Sequence, residues 1–151
     1  MIIYFDMDGT IADLYGVDGW RDMLQAYNPT PYRRAKPMIN MRAFARILHA
    51  LQSEGIQIGI ISWLSKSGNE IYNEAVTKAK LQWLQTHLKS VEFDEIHILP
   101  YGTPKSTVVT KDQARLFDDE AANRIEFRGR DRLAYDVENI MAVLKNILVN
   151  N

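Results

Sequence analysis

Short apolar runs alternate along this chain with longer stretches in which apolar residues return every three or four positions. The runs lie at residues 2–5, 56–61, 96–99, 114–117 and 125–127. Rich in β-branched and aromatic side chains, which suit a buried pleated backbone, they read as strands. The periodic stretches read as helices. Residues 40–54 place Met41, Phe44, Ile47, Leu48 and Leu51 on one face, and residues 136–148 do the same with Val137, Ile140, Met141, Leu144, Ile147 and Leu148. Residues 68–88 offer a broad apolar surface of Ile71, Ala75, Ala79, Leu81, Trp83, Leu84 and Leu88, with Lys78, Lys80 and Gln82 on the polar face.

Strands alternating with helices imply right-handed βαβ units. The expected fold class is α/β, with a mainly parallel central sheet covered by helices on both faces. Residues 15–37 break the alternation, because Gly16, Gly19, Pro29, Pro31 and Pro37 punctuate them. They leave room for a short helix at 20–27 that carries Trp20, Met23, Leu24 and Tyr27. This segment is expected to be a small insertion in one domain spanning residues 1–151. A chain of that length buries roughly 70% of its unfolded surface and needs no staple.

The residues that follow the strands change the picture. Asp6 and Asp8 follow the first run, Ser62 the second, Lys105 the third, and Asp118 and Asp119 the fourth. In an open parallel sheet all of them emerge at the carboxyl edge, where ligands bind. Two carboxylates one residue apart repel each other unless a cation or a shared proton relieves them, and Mg²⁺ favours oxygen ligands from carboxylates, water and phosphate. Gly9 permits a close approach of backbone and ligand, and Thr10 adds a hydroxyl. Taken singly, each position has an ordinary reading as a cap, a turn or a solvated loop. Arg33, Arg34 and Lys36 have two readings, contact with a phosphate or a solvated loop, whereas His49 and His97 read as surface or packing residues.

Composition narrows the chemistry. The chain has no cysteine, which excludes disulfides, zinc-thiolate sites and cysteine nucleophiles. A formal net charge of −1 gives no bulk attraction to nucleic acid or an anionic membrane. No run approaches the roughly 20 apolar residues of a membrane span, and the first residues lack a signal-peptide pattern. The expectation is a soluble cytoplasmic protein whose partner is a small phosphorylated substrate; a homo-oligomer is left open.

The order of these groups resembles the haloacid dehalogenase superfamily of phosphohydrolases: Asp6-Met7-Asp8-Gly9-Thr10, then Ser62, then Lys105, then Asp118-Asp119. A narrower likeness, to its 5′(3′)-deoxyribonucleotidase branch, rests on the opening DMDGTIAD, Ala35-Lys36-Pro37-Met38, and Ala79-Lys80-Leu81-Gln82-Trp83-Leu84 before His87. The resemblance implies a Rossmann-like three-layer sandwich with a small cap at 15–37. It implies Mg²⁺-dependent hydrolysis of a phosphomonoester, a nucleotide or a related phosphate, through an aspartyl-phosphate. Asp6 would be the nucleophile and Asp8 the acid and then the base, with Ser62 and Lys105 completing the catalytic set. Asp6, Asp8, Asp118 and Asp119 would hold the metal, while Thr10, Ser62, Trp63 and Lys105 would bind the phosphate. The insertion is shorter than the cap of the family's nucleotidases, so an open site for polynucleotide or protein termini is an alternative. A catalytically silent binding or regulatory protein on the same fold is another. A phosphoryl-accepting receiver domain fits less well, since its acceptor belongs on a middle strand.

Overall fold

The computed structural model describes every residue from Met1 to Asn151. In chain order its elements begin with β1 (Ile2–Phe5), β2 (Ala12–Asp13), α1 (Trp20–Gln25), α2 (Thr30–Arg34), β3 (Lys36–Pro37) and α3 (Met41–Ser53). There follow β4 (Gln57–Trp63), α4 (Glu70–His87), β5 (Glu95–Leu99), β6 (Ala114–Phe117), α5 (Ala121–Phe127), β7 (Arg132–Tyr135) and α6 (Ile140–Val149). Five strands form one sheet in the order β5-β4-β1-β6-β7, and every pairing in it is parallel. The chain steps outward from β1 through β4 to β5 and then crosses back to β6, so strand order reverses at β1. Side chains leaving the carboxyl ends of β1, β4 and β6 therefore share one crevice.

The two sheet faces bury different sets. Ile3, Phe5, Ile58 and Ile60 pack with Phe44 and Leu48 of α3, Trp83 and Leu84 of α4, and Ile140 and Leu144 of α6. The opposite face, Ile2, Tyr4, Ile61, Ala114 and Leu116, packs with Phe127 of α5 and with Val108 and Val109 of the β5–β6 connection. Asparagine side chains start the two long helices: Asn40 accepts from Ala43 N–H at 3.0 Å and Asn69 from Tyr72 N–H at 2.8 Å. No helix is long and apolar enough to cross a membrane.

Three local expectations need correction. Residues 125–127 are not a strand but the last turn of α5, where Asn123 and Phe127, four apart, share the buried face and Ile125 is exposed. Three residues are too few to tell a period of two from one of 3.6. The fifth strand is β7, which follows α5; as the last strand of the sheet it pairs on one side alone. On α4 the buried positions are Tyr72, Val76, Ala79, Lys80, Trp83 and Leu84, whereas Ile71 and Leu81 face solvent. This helix serves two partners. Its first half packs Tyr72, Val76 and Ala79 against Leu14 and Tyr32, and its second half packs on the sheet, so no single apolar stripe runs its length. The unexpected short ladder of β2 with β3 pairs Asp13 with Lys36 and Ala12 with Pro37, closing the insertion at its base.

Gly59 lies under the ring of Tyr4, whose hydroxyl reaches across the sheet to donate to Glu95 Oε2 at 2.6 Å. A Cβ at residue 59 would stand 2.7 Å from the Tyr4 ring and 3.1 Å from the Glu95 carbonyl oxygen. Gly59→Ala should therefore destabilise the protein by about 1–3 kcal/mol through overpacking. Urea unfolding measures this, and an unchanged midpoint would contradict the packing described.

Candidate functional site

The site begins where β1 stops. Asp6 is still in sheet register, its N–H donating to Phe117 carbonyl at 2.9 Å, but from Met7 the chain turns sharply: the N–H groups of Thr10, Ile11 and Ala12 all converge on the Met7 carbonyl at 2.9–3.1 Å. Buried Met7 anchors this turn in the core, so Asp6 and Asp8 project from a fixed frame. Gly9 sits at φ 79°, and a Cβ there would run into the Asp119 carboxylate; this position requires glycine both for its conformation and for the approach of the acid. Thr10 Oγ1 lies between the two strand ends, 3.2 Å from Asp6 Oδ2 and 3.3 Å from Asp119 Oδ1.

Two lysines reach the acids from different elements. Lys105, in the connection after β5, is 1% exposed and places Nζ 2.8 Å from Asp6 Oδ1 and 2.6 Å from Asp118 Oδ2. Lys80, on α4, is equally buried and donates at 2.7 Å to each of Asp8 Oδ2, Ser62 Oγ and the Trp63 carbonyl. Asp118 is further held by Asn123 Nδ2 at 3.1 Å and by Glu120 N–H at 2.9 Å. The aspartate pair is thus divided: Asp6 belongs to the Lys105–Asp118 cluster, and Asp8 to Lys80 and Ser62.

Proton affinities follow from this crowding. Burial raises the Asp8 pKa above the ordinary carboxylate range, with the Asp6 charge adding to the rise and Lys80 only partly opposing it. Burial and then Asp6 raise Asp118 in the same way, against Lys105. Asp119, next to both Asp6 and Asp118 and partly desolvated, is pushed up to about 7. Burial disfavours the Lys105 ammonium, yet Asp6 and Asp118 outweigh it and hold its pKa above the usual lysine value.

Asp6, Asp118 and Asp119 each offer a carboxylate oxygen within 4.8 Å of the others. An all-oxygen set suits a hard divalent cation rather than a thiophilic one, and such a cation would relieve the repulsion among carboxylates held this close. The Asp8 carboxylate stands apart from this group, turned to Lys80.

All the expected site residues, Asp6, Asp8, Thr10, Ser62, Trp63, Lys105, Asp118 and Asp119, lie at this edge of the sheet. Arg33 and Arg34 instead end α2, and Lys36 pairs with Asp13 at the base of the insertion. Asn123 and Arg124 enter the site without having been expected there, as does Lys80, which was part of the narrower family likeness but had no expected site role. A signal for Lys80 was present: with Tyr72 and Val76 it forms a row of fourth residues, so it shares their buried face. Above the carboxylates opens a cavity of about 430 Å³. Tyr15 and Trp20 of the insertion pack edge-on at 5.0 Å on one part of its wall, and Trp63 and Tyr101 form a second pair at 5.0 Å.

No protein-family model matches the sequence, and no curated protein is significantly similar to it. Solved structures are. The D,D-heptose 1,7-bisphosphate phosphatase of B. bronchiseptica, determined with magnesium and phosphate, superposes with a TM-score of 0.60 at 12% identity, over 99% of both chains. The corresponding phosphatase of Burkholderia thailandensis gives 0.58 at 10% identity, over 97% of both chains. The chain has the haloacid dehalogenase fold. Within that fold, the strand that opens the chain is the central one, and Asp6 and Asp8 stand at its carboxyl end, beside the end of β6.

The elevated Asp119 pKa has a consequence for stability. Its folded value of about 7 lies above the ordinary 3.8, so the stabilisation is complete below about pH 4 and is lost as the pH rises through 7. In metal-free protein, Asp119→Asn should flatten the fall in melting temperature between pH 4 and pH 8. Parallel melting curves for the two proteins across that range would refute the assignment.

Proposed function

We propose that this protein is an Mg²⁺-dependent phosphomonoester hydrolase that works through an aspartyl-phosphate on Asp6, with a nucleotide or a related phosphate as substrate. The observation that carries the reading is the division of the aspartate pair by two buried lysines. One carboxylate is placed with a cation and the acid cluster, while its neighbour two residues on has a raised proton affinity. A carboxyl that holds its proton is fit to donate it to a leaving oxygen.

Asp6 Oδ attacks phosphorus, the bond from phosphorus to the leaving oxygen breaks, and that oxygen takes the proton held by Asp8. Asp8, now a carboxylate beside Lys80, accepts a proton from water as the water attacks the aspartyl-phosphate. The phosphorus–Asp6 bond breaks, restoring the carboxylate and releasing inorganic phosphate. Lys105 and Lys80 flank the path and lessen the repulsion between the anionic phosphoryl group and the carboxylates. Thr10, Ser62 and the backbone at Trp63 supply hydrogen-bonding groups at the same edge. When bound by Asp6, Asp118 and Asp119, with the Asp8 carbonyl as a further ligand, Mg²⁺ supplies charge neutralisation for the phosphoryl oxygens. That the phosphatase of B. bronchiseptica was determined with magnesium and phosphate supports this choice of ion.

The nucleotide reading draws support from the aromatic pairs Tyr15–Trp20 and Trp63–Tyr101 on the cavity wall. Rings of this kind stack a base, worth about 1–3 kcal/mol for each; a heptose would use polar groups instead. Residues 15–37 act in this view as a small cap. Because α1 has no buried residue, the cap leaves the entrance accessible, and a phosphate at the end of an oligonucleotide is a second substrate of the same chemistry.

A panel of nucleoside monophosphates, sugar phosphates and 3′-phosphorylated oligonucleotides, assayed for phosphate release with and without Mg²⁺, tests the proposal. Nucleotides should lead the panel, and Asp6→Asn should lower turnover by at least about 10³-fold while its circular dichroism stays that of the wild type. Full activity in Asp6→Asn would remove the nucleophile assignment, and faster turnover of sugar phosphates would remove the nucleotide. Undiminished metal binding with no turnover of any compound would favour a silent binding protein.

A further inference from the structure

Asp118 and Asp119 are consecutive residues, so the direction of both carboxylates depends on how the backbone between β6 and α5 is held. Arg124 holds it. Its Nη1 donates to the Asp118 carbonyl and to the Asp119 carbonyl, each at 2.9 Å, while Nη2 lies 3.3 Å from Asp136 Oδ2 in the segment after β7. The side chain is only 15% exposed. It comes from the middle of α5, whose Phe127 is buried in the core and whose Asn123 contacts Asp118 Oδ2. A guanidinium is a planar fork whose donors are fixed relative to one another, so binding two successive carbonyls fixes the peptide planes from which both acids project. Neither carboxylate of Asp118 or Asp119 is used by Arg124, so Asp118 Oδ2 stays with Lys105 and Asn123 and both acids keep an oxygen within 4.8 Å of the others in the cluster.

We propose that Arg124 is a positioning residue for divalent-cation binding: it sets the relative orientation of the Asp118 and Asp119 carboxylates through their backbone carbonyls, with Asp136 as its counter-ion. This inference rests on the metal site of the preceding section and not on the substrate assigned there. Groups that orient metal ligands from behind typically change affinity by about 10–100-fold when removed.

The test is titration of the whole protein with Mn²⁺ alone, followed by electron paramagnetic resonance of the free ion, without substrate. Arg124→Met should weaken Mn²⁺ binding by about ten-fold or more, and Arg124→Lys, which keeps a donor but not the fork, by an intermediate factor. Phe127→Leu separates positioning from stability, since it should lower the melting temperature at the base of the same helix and leave Mn²⁺ affinity within two-fold. Affinity within two-fold of wild type in folded Arg124→Met would overturn the inference. So would equal weakening by Phe127→Leu, or a wild type that binds no Mn²⁺ at millimolar concentration. Should Arg124→Met fail to fold, Arg124→Lys decides: unchanged affinity there overturns the inference. Absence of phosphate release from every substrate, with Arg124-dependent Mn²⁺ binding intact, would dismiss the hydrolase and leave the role of Arg124 standing.

Discussion

The structure depends on the accommodation of the Asp6, Asp8, Asp118 and Asp119 carboxylates in one crevice by two buried ammonium groups. Removing an ammonium from water costs several kcal/mol, which close oxygen partners must offset. Lys105 meets two carboxylates; Lys80 meets one carboxylate, a hydroxyl and a carbonyl. With all four acids ionised the sum is four negative charges against two positive, leaving −2. Asp8, Asp118 and Asp119 all bind protons more tightly than usual, first because they are buried and then because Asp6 lies beside them. A divalent cation would cancel the same excess without a proton.

The fold delivers this arrangement through elements with double duties. α4 covers the sheet with Trp83 and Leu84, seats the insertion with Tyr72 and Val76, and at the junction of those tasks inserts Lys80. The ammonium there also lies 5.0 Å from the centre of the Tyr32 ring, so the insertion helps to enclose it. α5 is shorter, yet three of its residues hold two of the connections: Asn123 and Arg124 hold the Asp118–Asp119 segment, and Glu126 accepts from the Ser106 backbone N–H next to Lys105. Packing and polar positioning are thus performed by the same few turns of helix.

Much of this was legible in the sequence because strand ends are easy to locate. Asp6, Ser62, Lys105 and Asp118 each follow a compact apolar run, and parallel pairing brings such positions together. What was not legible depends on tertiary context. Lys80 was placed on the polar face of α4 and, apart from its place in the stretch carrying the nucleotidase likeness, had an ordinary helical reading, because α4 was assigned one apolar face, whereas it divides its length between two partners. Arg124 was invisible in principle, since its partners are backbone carbonyls and carbonyls leave no mark on residue identity. The strand at Arg132–Tyr135 was obscured for another reason: at the end of the sheet it pairs only with β6, so Arg132 and Leu133 are tolerated at the margin of the core.

The roles open to the two aspartates are set as much by strand order as by their spacing. Lys80 arrives with α4, on the side of the sheet that carries Ile3, Ile58 and Trp83. Lys105 arrives with the connection that crosses back to β6 and packs Val108 and Val109 on the opposite side. Right-handed crossovers make this unavoidable: a chain that moves one way from β1 and then returns must change faces. One lysine therefore comes to each flank of the aspartate pair, and the end of β6 brings Asp118 to the Lys105 flank only. Asp6 meets a cation already shared with another acid, while Asp8 meets one shared with neutral oxygens. The same Asp-x-Asp turn at a strand whose neighbours were added in one direction would have both lysines on one flank. Its two carboxylates would then have like surroundings, and the division seen here between Asp6 and Asp8 would be lost.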